Sequence, residues 1–451
     1  MIFTTLLVIS FAICLQNTRT LIPADKTFNA ACTLNVGDNS DYKTVTDALK
    51  QTCSEYIIHM VDSNHTEHLE LNINELINIT HSENVSTRWT INEVQDEIIV
   101  VKQGNVSLVN LEFHYTVIVI NQTNQTVVSP RALVSVGDDP LYNPSVTLLH
   151  CHFHSVINHT DGASIEVEVH KAGHIKFLHC WFRGQGLLER SNVSYLKVGN
   201  ASHILVERCI FHNSSIHSPQ GAVQLFGEIS NCTIHVLENQ FEDIFSHNTH
   251  EHGILAIVCI SKSNVVVWAN TFQTLYTFNS IAGALFLVDS SLDSSTNDIV
   301  VEKNTFRNNF GVESGGIFLH SHVQNSRILF IDNMFHYNKG MSPHGHHQDV
   351  QLGIRNPSGV WKESNIIKEA KKLFKGCETD QFNSSVGIWV NLTAYGDQGV
   401  TKELSLKVYK SGGSQFYKYF IGFLIGAILA AAGFIIVFIV MKFMKKVCLY
   451  G

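Results

Sequence analysis

The fold of this chain is decided by a repeated segment that reads IVVEKNTF at residues 299–306 and ILFIDNMF at residues 328–335. In both copies an alternating apolar strand is followed by Asn, any residue and Phe. Five earlier segments share the pattern, with Cys or Asn before the Phe: VTLLHCHF at 146–153, IKFLHCWF at 175–182, ILVERCIF at 204–211, IHVLENQF at 234–241 and VVVWANTF at 265–272. Their phenylalanines lie 29, 29, 30, 31, 34 and 29 residues apart. Self-similarity at one period predicts a stack of repeats.

The stretches between these segments distinguish two repeat architectures. A leucine-rich repeat has a similar strand but returns through a helix, whereas a parallel β-helix returns through further strands. The returns here read GAVQLF from Gly221, GILAIV from Gly253, GALFLV from Gly283 and GGIFLH from Gly315. They are short strands of period two. The sequence therefore predicts an all-β protein, with a parallel β-helix of eight or nine coils that includes residues 105–354.

Stacked coils place equivalent side chains in ladders about 4.8 Å apart. We expect the phenylalanines to stack inside the coils as the core of the domain: Phe153, Phe182, Phe211, Phe241, Phe272, Phe306 and Phe335, with a looser copy at Phe113. Before each Phe, Cys151, Cys180 and Cys209 give way to Asn239, Asn270, Asn304 and Asn333. A buried Asn at this turn can bond to the backbone and to the next Asn in the ladder. The three cysteines are expected to remain reduced.

The motif Asn-x-Phe-x-x-Asn, present as Asn304, Phe306 and Asn309 before a Gly-led strand, resembles the right-handed β-helix repeat of pectate-lyase-like proteins. It also resembles the F-x-x-N and G-G-A-[ILV] alternation of polymorphic outer-membrane-type surface proteins. Upstream, VGDNSDYKTVTDALKQT at residues 36–52 is similar to the opening of pectin-methylesterase-like β-helices, where a short helix closes the coil. The resemblance implies right-handed coils, and an N-terminal cap with a helix at residues 44–51 inside a first region of residues 21–104.

Apolar segments near both ends predict the topology of the chain. Residues 1–20 match a secretory signal peptide. Residues 420–440 hold no charge and are long enough to span a bilayer, and three lysines follow them. Because the more basic flank stays in the cytoplasm, we expect a type I protein of the plasma membrane or a secretory-pathway membrane. Its transmembrane helix would be 419–441 and its cytoplasmic tail 442–451.

One further feature precedes the predicted membrane span and another lies within it. Residues 355–415 are expected to form a C-terminal cap and stalk, with a helix at about 364–374. Within the span, Gly422, Gly426 and Ala430 recur on one helix face. Small residues at this spacing let two membrane helices approach closely, so they predict a homodimer contact.

Sequons and cysteines support an extracellular or lumenal location. Thirteen of the 36 asparagines lie in N-x-S/T sequons, an enrichment typical of a secreted chain. The predicted glycosylation sites are Asn64, Asn78, Asn84, Asn105, Asn121, Asn124, Asn158, Asn192, Asn200, Asn213, Asn231, Asn383 and Asn391. Cys32 and Cys53 flank one short amphipathic unit and are predicted to form a disulfide, which an oxidising compartment permits.

The charge pattern argues against several functional classes. The net charge is −8 and basic residues do not cluster outside the last ten positions, which excludes nucleic acid as the main partner. His150, His152 and His154 are expected to alternate outward on one strand, with His179 one coil from His150, and such a group could hold zinc or copper. However, Arg208, Glu238 and Lys303 continue the same column, which favours an exposed row of mixed charge. No metal site and no cofactor is predicted, and His344, His346 and His347 are expected in a solvated loop.

Carbohydrate enzymes on this fold place carboxylates and basic groups on one exposed sheet face. Alternation along the Gly-led strands instead directs Phe226, Phe286 and Phe318 outward, and only Glu166 and Glu168 are carboxylates in line with them. Solvent-facing phenylalanines at repeated positions predict a surface covered by a second copy of the chain, a partner protein or a glycan. The alternatives are that the segment after Ile354 folds back over the rings, or that a bulge reverses the register by one residue. The sequence therefore predicts a binding, adhesion or surface-coat protein that is not an enzyme and has no catalytic residues. The alternative is a membrane-tethered polysaccharide lyase, hydrolase or esterase.

Overall fold

The computed structural model describes residues 30–81, 86–90, 97–116, 132–139, 141–156, 164–191, 193–216, 222–227, 231–247, 252–259, 262–290, 296–321, 326–341, 349–355, 361–380, 385–391 and 399–408. These residues form a parallel β-solenoid of about eight turns, consistent with a right-handed parallel β-helix. The fold predicted from the repeat is therefore confirmed.

Each coil runs through three faces in a fixed order, and we name them face A, face B and face C. Faces A and B belong to one sheet of 20 strands, and face C is a sheet of 14 strands. Four long strands run through both face A and face B: Leu69–His81, Ile99–Val109, Ser164–Leu178 and Val193–Glu207. Except at strand Gly399–Leu404, neighbouring strands of successive coils pair in parallel.

Face A contains the four Gly-led strands, which are Val223–Gly227, Leu255–Cys259, Leu285–Asp289 and Ile317–Ser321, and the strands Ala132–Val136, Val350–Arg355 and Val386–Asn391. Face B contains Cys32–Val36, Glu55–Met60, Ser145–Leu149, Thr233–Leu237, Asn264–Trp268, Asp298–Glu302, Arg327–Ile331 and Phe374–Lys375. Strand Gly399–Leu404 pairs antiparallel with Val386–Asn391 at the last coil.

Face C contains the strands that carry the repeated Phe. They are Asn64–Thr66, Thr87–Thr90, Leu111–Thr116, His152–Val156, Trp181–Ser191, Ile210–Ile216, Gln240–Ser246, Thr271–Thr277, Thr305–Arg307, Phe310–Gly311, Met334–His336, Lys339–Gly340, Glu378–Thr379 and Lys407–Val408. Every repeated Phe is fully buried, and the rings from Phe113 to Phe335 stack with centroids 4.7–5.2 Å apart. Trp89 extends the stack by one coil. The predicted interior ladder is confirmed.

The turn from face B to face C explains the column of charged residues. One residue per coil adopts a left-handed conformation there, with φ between 50° and 56°: His150, His179, Arg208, Glu238, Ala269, Lys303 and Asp332. The turn makes these side chains protrude, and apart from half-buried Glu238 and Ala269 they are exposed, so they form a surface row of mixed charge. The prediction that His150 shares a strand with His152 and His154 is wrong, because His150 lies in this turn, before the strand begins.

The residue after this turn is buried in every repeat, and here the ladder of cysteines and asparagines forms. Cys151, Cys180 and Cys209 are reduced, as predicted, and each thiol contacts a carbonyl of the preceding coil. From Asn239 to Asn333 the ladder continues through amide hydrogen bonds.

Both ends of the solenoid carry short helices. Helix α1, Val45–Ala48, lies in the predicted segment, with Val45 and Ala48 buried, and Cys32 forms the predicted disulfide with Cys53. Helix α2, Ile366–Leu373, buries Ile366, Ala370 and Leu373. Within the described residues neither helix is long and apolar enough to cross a membrane. The predicted signal peptide, membrane span and tail lie outside the described residues.

Candidate functional site

The predicted phenylalanine stripe lies on the outside of face A, but its rings are not all exposed. Phe286 is only 5% exposed, and with Ala256 and Ala282 it forms a small apolar cluster separate from the main core. Phe318 is half-buried and stacks on Phe286 at 5.6 Å between centroids. The prediction that all three rings face solvent is therefore wrong for Phe286.

Phe286 is covered by another part of the same chain. The register of the strands also places Phe226 in a different column from Phe286 and Phe318. Ile281 and Ala282, from the connection that enters face A, pack in the same cluster. Phe226 lies in the neighbouring column, in register with Val258 and Val288. The ring of His252 links the two columns, with centroids 6.4 Å from Phe226 and 5.4 Å from Phe286.

A second aromatic row, which sequence reasoning missed, lies on the outside of face C. Phe245, Tyr276 and Phe310 are half-buried and stack with centroids 4.7 Å apart at both steps. The Nζ atom of Lys339 lies 5.4 Å from the Phe310 ring centroid in the next coil. We call Phe245, Tyr276, Phe310 and Lys339 the outer aromatic ladder. None of its rings belongs to either apolar cluster of the described residues.

A polar cluster occupies the outside of face A in earlier coils. Glu168 is buried, with its Oε1 atom 2.9 Å from Lys197 Nζ and its Oε2 atom 3.6 Å from His170 Nε2. The same His170 nitrogen lies 3.0 Å from Asp138 Oδ1. Two carboxylates, one imidazole and one ammonium group thus meet at one point. Glu166, two residues before Glu168 on the same strand, is also buried.

Two histidines and one glutamate meet on the outside of face C in the coils before the outer aromatic ladder. His114 Nε2 lies 2.8 Å and His154 Nε2 lies 3.1 Å from the same atom, Glu112 Oε1. The two imidazole rings stack with centroids 4.7 Å apart. Of the histidines weighed from the sequence that the structure describes, only His154 belongs here. His344, His346 and His347 lie outside the described residues. His150 and His179 stack on each other in the exposed row, and His152 contacts Trp181.

In this half-buried group of Glu112, His114 and His154, the pKa values of His154 and Glu112 are shifted from their ordinary values. Burial, and then the charge of His114, lower the pKa of His154 to about 4. Burial raises the pKa of Glu112, but the hydrogen bond from His114 and the charges of both imidazoles outweigh it, so the net pKa lies below its usual value. At neutral pH the group therefore contains an ionised carboxylate and an uncharged His154.

The sequence contained signals for both missed groups. His114 and His154 each follow a ladder Phe, so aligning the loose copy at Phe113 with Phe153 would have placed them in adjacent coils, as the pairing does. Likewise, Phe245, Tyr276 and Phe310 each come four residues after a ladder Phe.

The predicted glycosylation sites that the structure describes are all at the surface. Asn64, Asn105 and Asn231 are exposed, and Asn78, Asn200, Asn213 and Asn391 are half-buried. Asn84, Asn121, Asn124, Asn158, Asn192 and Asn383 lie outside the described residues.

No family model matches the chain, and no curated protein matches it in sequence.

Proposed function

We propose that this chain is a single-pass type I glycoprotein of the cell surface or a secretory-pathway membrane, whose β-helix ectodomain binds a glycan or protein ligand. The observation that carries the binding function is the outer aromatic ladder. Because the rings stack on one another, they offer a ligand a continuous row of apolar ring edges on a rigid sheet. Lys339 at one end adds a donor for a polar or anionic group.

The rigidity of face C supports this assignment. The strands of the ladder pair in register from Phe245 through Tyr276 to Phe310, so the rings are held at the coil spacing without a ligand. A preformed aromatic surface loses little conformational entropy on binding, which favours affinity. Phe226 and Phe318, the half-buried members of the predicted stripe, would extend the binding surface onto face A.

Membrane anchorage and secretion rest on the sequence and complete the proposal. The signal-like segment at 1–20 and the apolar run at 419–441 would place residues 21–415 outside the cytoplasm. The disulfide between Cys32 and Cys53 fits an oxidising compartment. At the N-terminal end, helix α1 would close the first coil, which would otherwise leave its apolar interior open to solvent.

The test uses the full-length protein displayed on eukaryotic cells. Cells carrying the wild-type chain should adhere to a panel of immobilised glycans or to partner cells, and Tyr276→Ser combined with Phe310→Ser should reduce adhesion at least about tenfold, as expected when central aromatic contacts are lost. Tyr142→Ser is the matched control, because Tyr142 is an exposed aromatic residue in a distant turn. Adhesion that is equal in the double variant and the wild type, at equal surface level, would contradict the proposal.

The polar cluster on face A supports a second candidate, the membrane-tethered polysaccharide lyase, hydrolase or esterase. Asp138 and Glu168 both approach His170, beside Lys197, and such a group could transfer protons during cleavage of a polysaccharide. This candidate would replace the binding function if the full-length chain degraded pectin or a related polymer and Glu168→Gln stopped the reaction while surface display persisted.

A further inference from the structure

We propose that Glu112, His114 and His154 bind a divalent transition-metal ion of the zinc type on the outside of face C. The three ligand atoms, one from each side chain, lie within 4.8 Å of one another. Two imidazole nitrogens and one carboxylate oxygen are a ligand set that Zn²⁺ accepts in proteins.

The separations between these atoms suit a small ion. Tetrahedral zinc with bonds of about 2.0–2.1 Å to its ligands holds their donor atoms about 3.4 Å apart. The distances of 2.8 Å and 3.1 Å from Glu112 Oε1 to the two imidazole nitrogens are close to that value. Small side-chain rotations would therefore admit an ion between the three groups.

The scaffold holds the ligands in place. Glu112 and His114 project from one strand on the same side, two residues apart, and His154 pairs with His114 in the next coil. Sites built on strands are more precise than sites built on loops. Ser86 Oγ also donates a hydrogen bond of 3.2 Å to Glu112 Oε2. A hydrogen bond to the second carboxylate oxygen orients the first toward the metal, as outer groups do in known metal sites.

The three side chains are accessible but shielded, with exposed fractions of 20% for Glu112, 17% for His114 and 23% for His154. An ion can therefore reach them from solvent. Three protein ligands leave at least one coordination position of a tetrahedral ion for water or for an oxygen of a bound molecule. The site would thus be an open metal centre on a face that also carries the outer aromatic ladder.

The experiment uses the full-length protein, purified in detergent and stripped with a chelator. Zn²⁺ is titrated in competition with a chromophoric chelator, and Co²⁺ is added in a parallel sample to record its absorption spectrum. We expect one tight equivalent of Zn²⁺ and a Co²⁺ spectrum typical of low coordination number. His154→Gln and Glu112→Gln should each weaken Zn²⁺ binding by more than about tenfold, since even outer-shell changes cost that much.

The matched control is His203→Gln. His203 stacks on His174 with centroids 4.5 Å apart, so it also belongs to a surface pair of imidazoles on adjacent coils. This variant should bind Zn²⁺ as tightly as the wild type does. If the wild type holds no tight equivalent, or if His203→Gln weakens binding as much as His154→Gln, the proposal is wrong.

Thermal unfolding separates metal binding from folding. A ligand that binds only the folded state raises the unfolding midpoint, so Zn²⁺ should raise that of the wild type and of His203→Gln. It should raise the midpoint of Glu112→Gln by less, because this variant binds Zn²⁺ more weakly although Gln preserves the size of the side chain. If Glu112→Gln gains the same increase as the wild type, Glu112 is not a ligand of the metal and the proposed three-ligand site is wrong.

Discussion

At the scale of single residues, the buried asparagines stabilise the coils by satisfying backbone groups that the turns leave unpaired. Asn270 Oδ1 accepts a hydrogen bond of 2.8 Å from the backbone N–H of Asn239, and Asn270 Nδ2 donates one of 2.8 Å to the carbonyl of Val236. Asn309 and Asn338 make a second ladder of this kind. Leaving a buried polar group unpaired costs about 1–3 kcal/mol of stability. The two asparagines of the Asn-x-Phe-x-x-Asn motif avoid this cost by pairing backbone groups of the turns.

A buried carboxyl group at the end of the second ladder should make stability depend on pH. Asp349 accepts hydrogen bonds from Asn338 Nδ2 at 3.0 Å and Thr379 Oγ1 at 2.6 Å. Burial nevertheless raises the pKa of Asp349 to about 7. Between its unfolded pKa, about 4, and this value the folded state binds more protons than the unfolded state, so the free energy of unfolding falls as pH rises.

We predict that Asp349→Asn removes this fall. Between pH 4.5 and pH 7.5 the wild type should lose on the order of 2–4 kcal/mol more than the variant in its free energy of unfolding, measured by chemical denaturation. The control is Asp38→Asn, because Asp38 is exposed and its replacement should leave the wild-type pH dependence unchanged. The same slope in Asp349→Asn and wild type would show that Asp349 titrates normally.

At the scale of strands, the outside of face A is an apolar packing layer as well as a candidate binding surface. Phe286 and Phe318 occupy one column in adjacent strands, and the connection containing Ile281 and Ala282 packs in the cluster that buries Phe286. Strand alternation decides that the two rings leave the interior. Whether the two rings are exposed to solvent depends on where the connection packs, and the alternation of residues along a strand does not predict that.

We predict that replacing Phe286 and Phe318 together with Ser destabilises the ectodomain. Phe286 is buried, and loss of a buried Phe side chain costs about 3–5 kcal/mol, with a smaller loss for half-buried Phe318. Thermal unfolding should show the lower midpoint. Phe318→Ser alone is the milder control and should keep the chain folded. A double variant that is as stable as the wild type but loses its ligand would make this column the binding surface.

At the scale of the whole molecule, the solenoid offers a long surface on which the predicted sequons are spread. The described ones lie between Asn64 in an early coil and Asn391 in the last, and each is exposed or half-buried. Sugar chains at these positions would shield parts of the outer surface and leave the remainder for ligands.

We predict that the chain expressed in eukaryotic cells carries several N-linked glycans. Treatment with a glycosidase that removes them should lower its apparent mass by several glycan units, with Asn64, Asn121 and Asn192 among the occupied sites. The matching control is the chain without residues 1–20, which should stay in the cytoplasm and show no shift. An unshifted wild-type band would contradict the secretory assignment.

The sequence alone determined the repeating interior of this protein. Coil length, strand alternation and the ladder positions of Phe153, Phe306 and Asn270 depend on local spacing, which repeats along the chain and can be counted. Cys32 and Cys53 were likewise predicted to pair because they flank one short unit, and the structure confirms the pair.

Only the tertiary structure decided what happens on the outside of the coils. Glu112 and His154 are 42 positions apart, and their meeting depends on how two unequal connections bring their strands into register. The burial of Phe286 depends on where one connection packs, and the stacking of Phe245 on Tyr276 depends on the coil spacing. Interior side chains must all fill one closed apolar core, so the sequence pattern predicts them. The surroundings of an outer side chain depend instead on which neighbouring coils and connections pack against it.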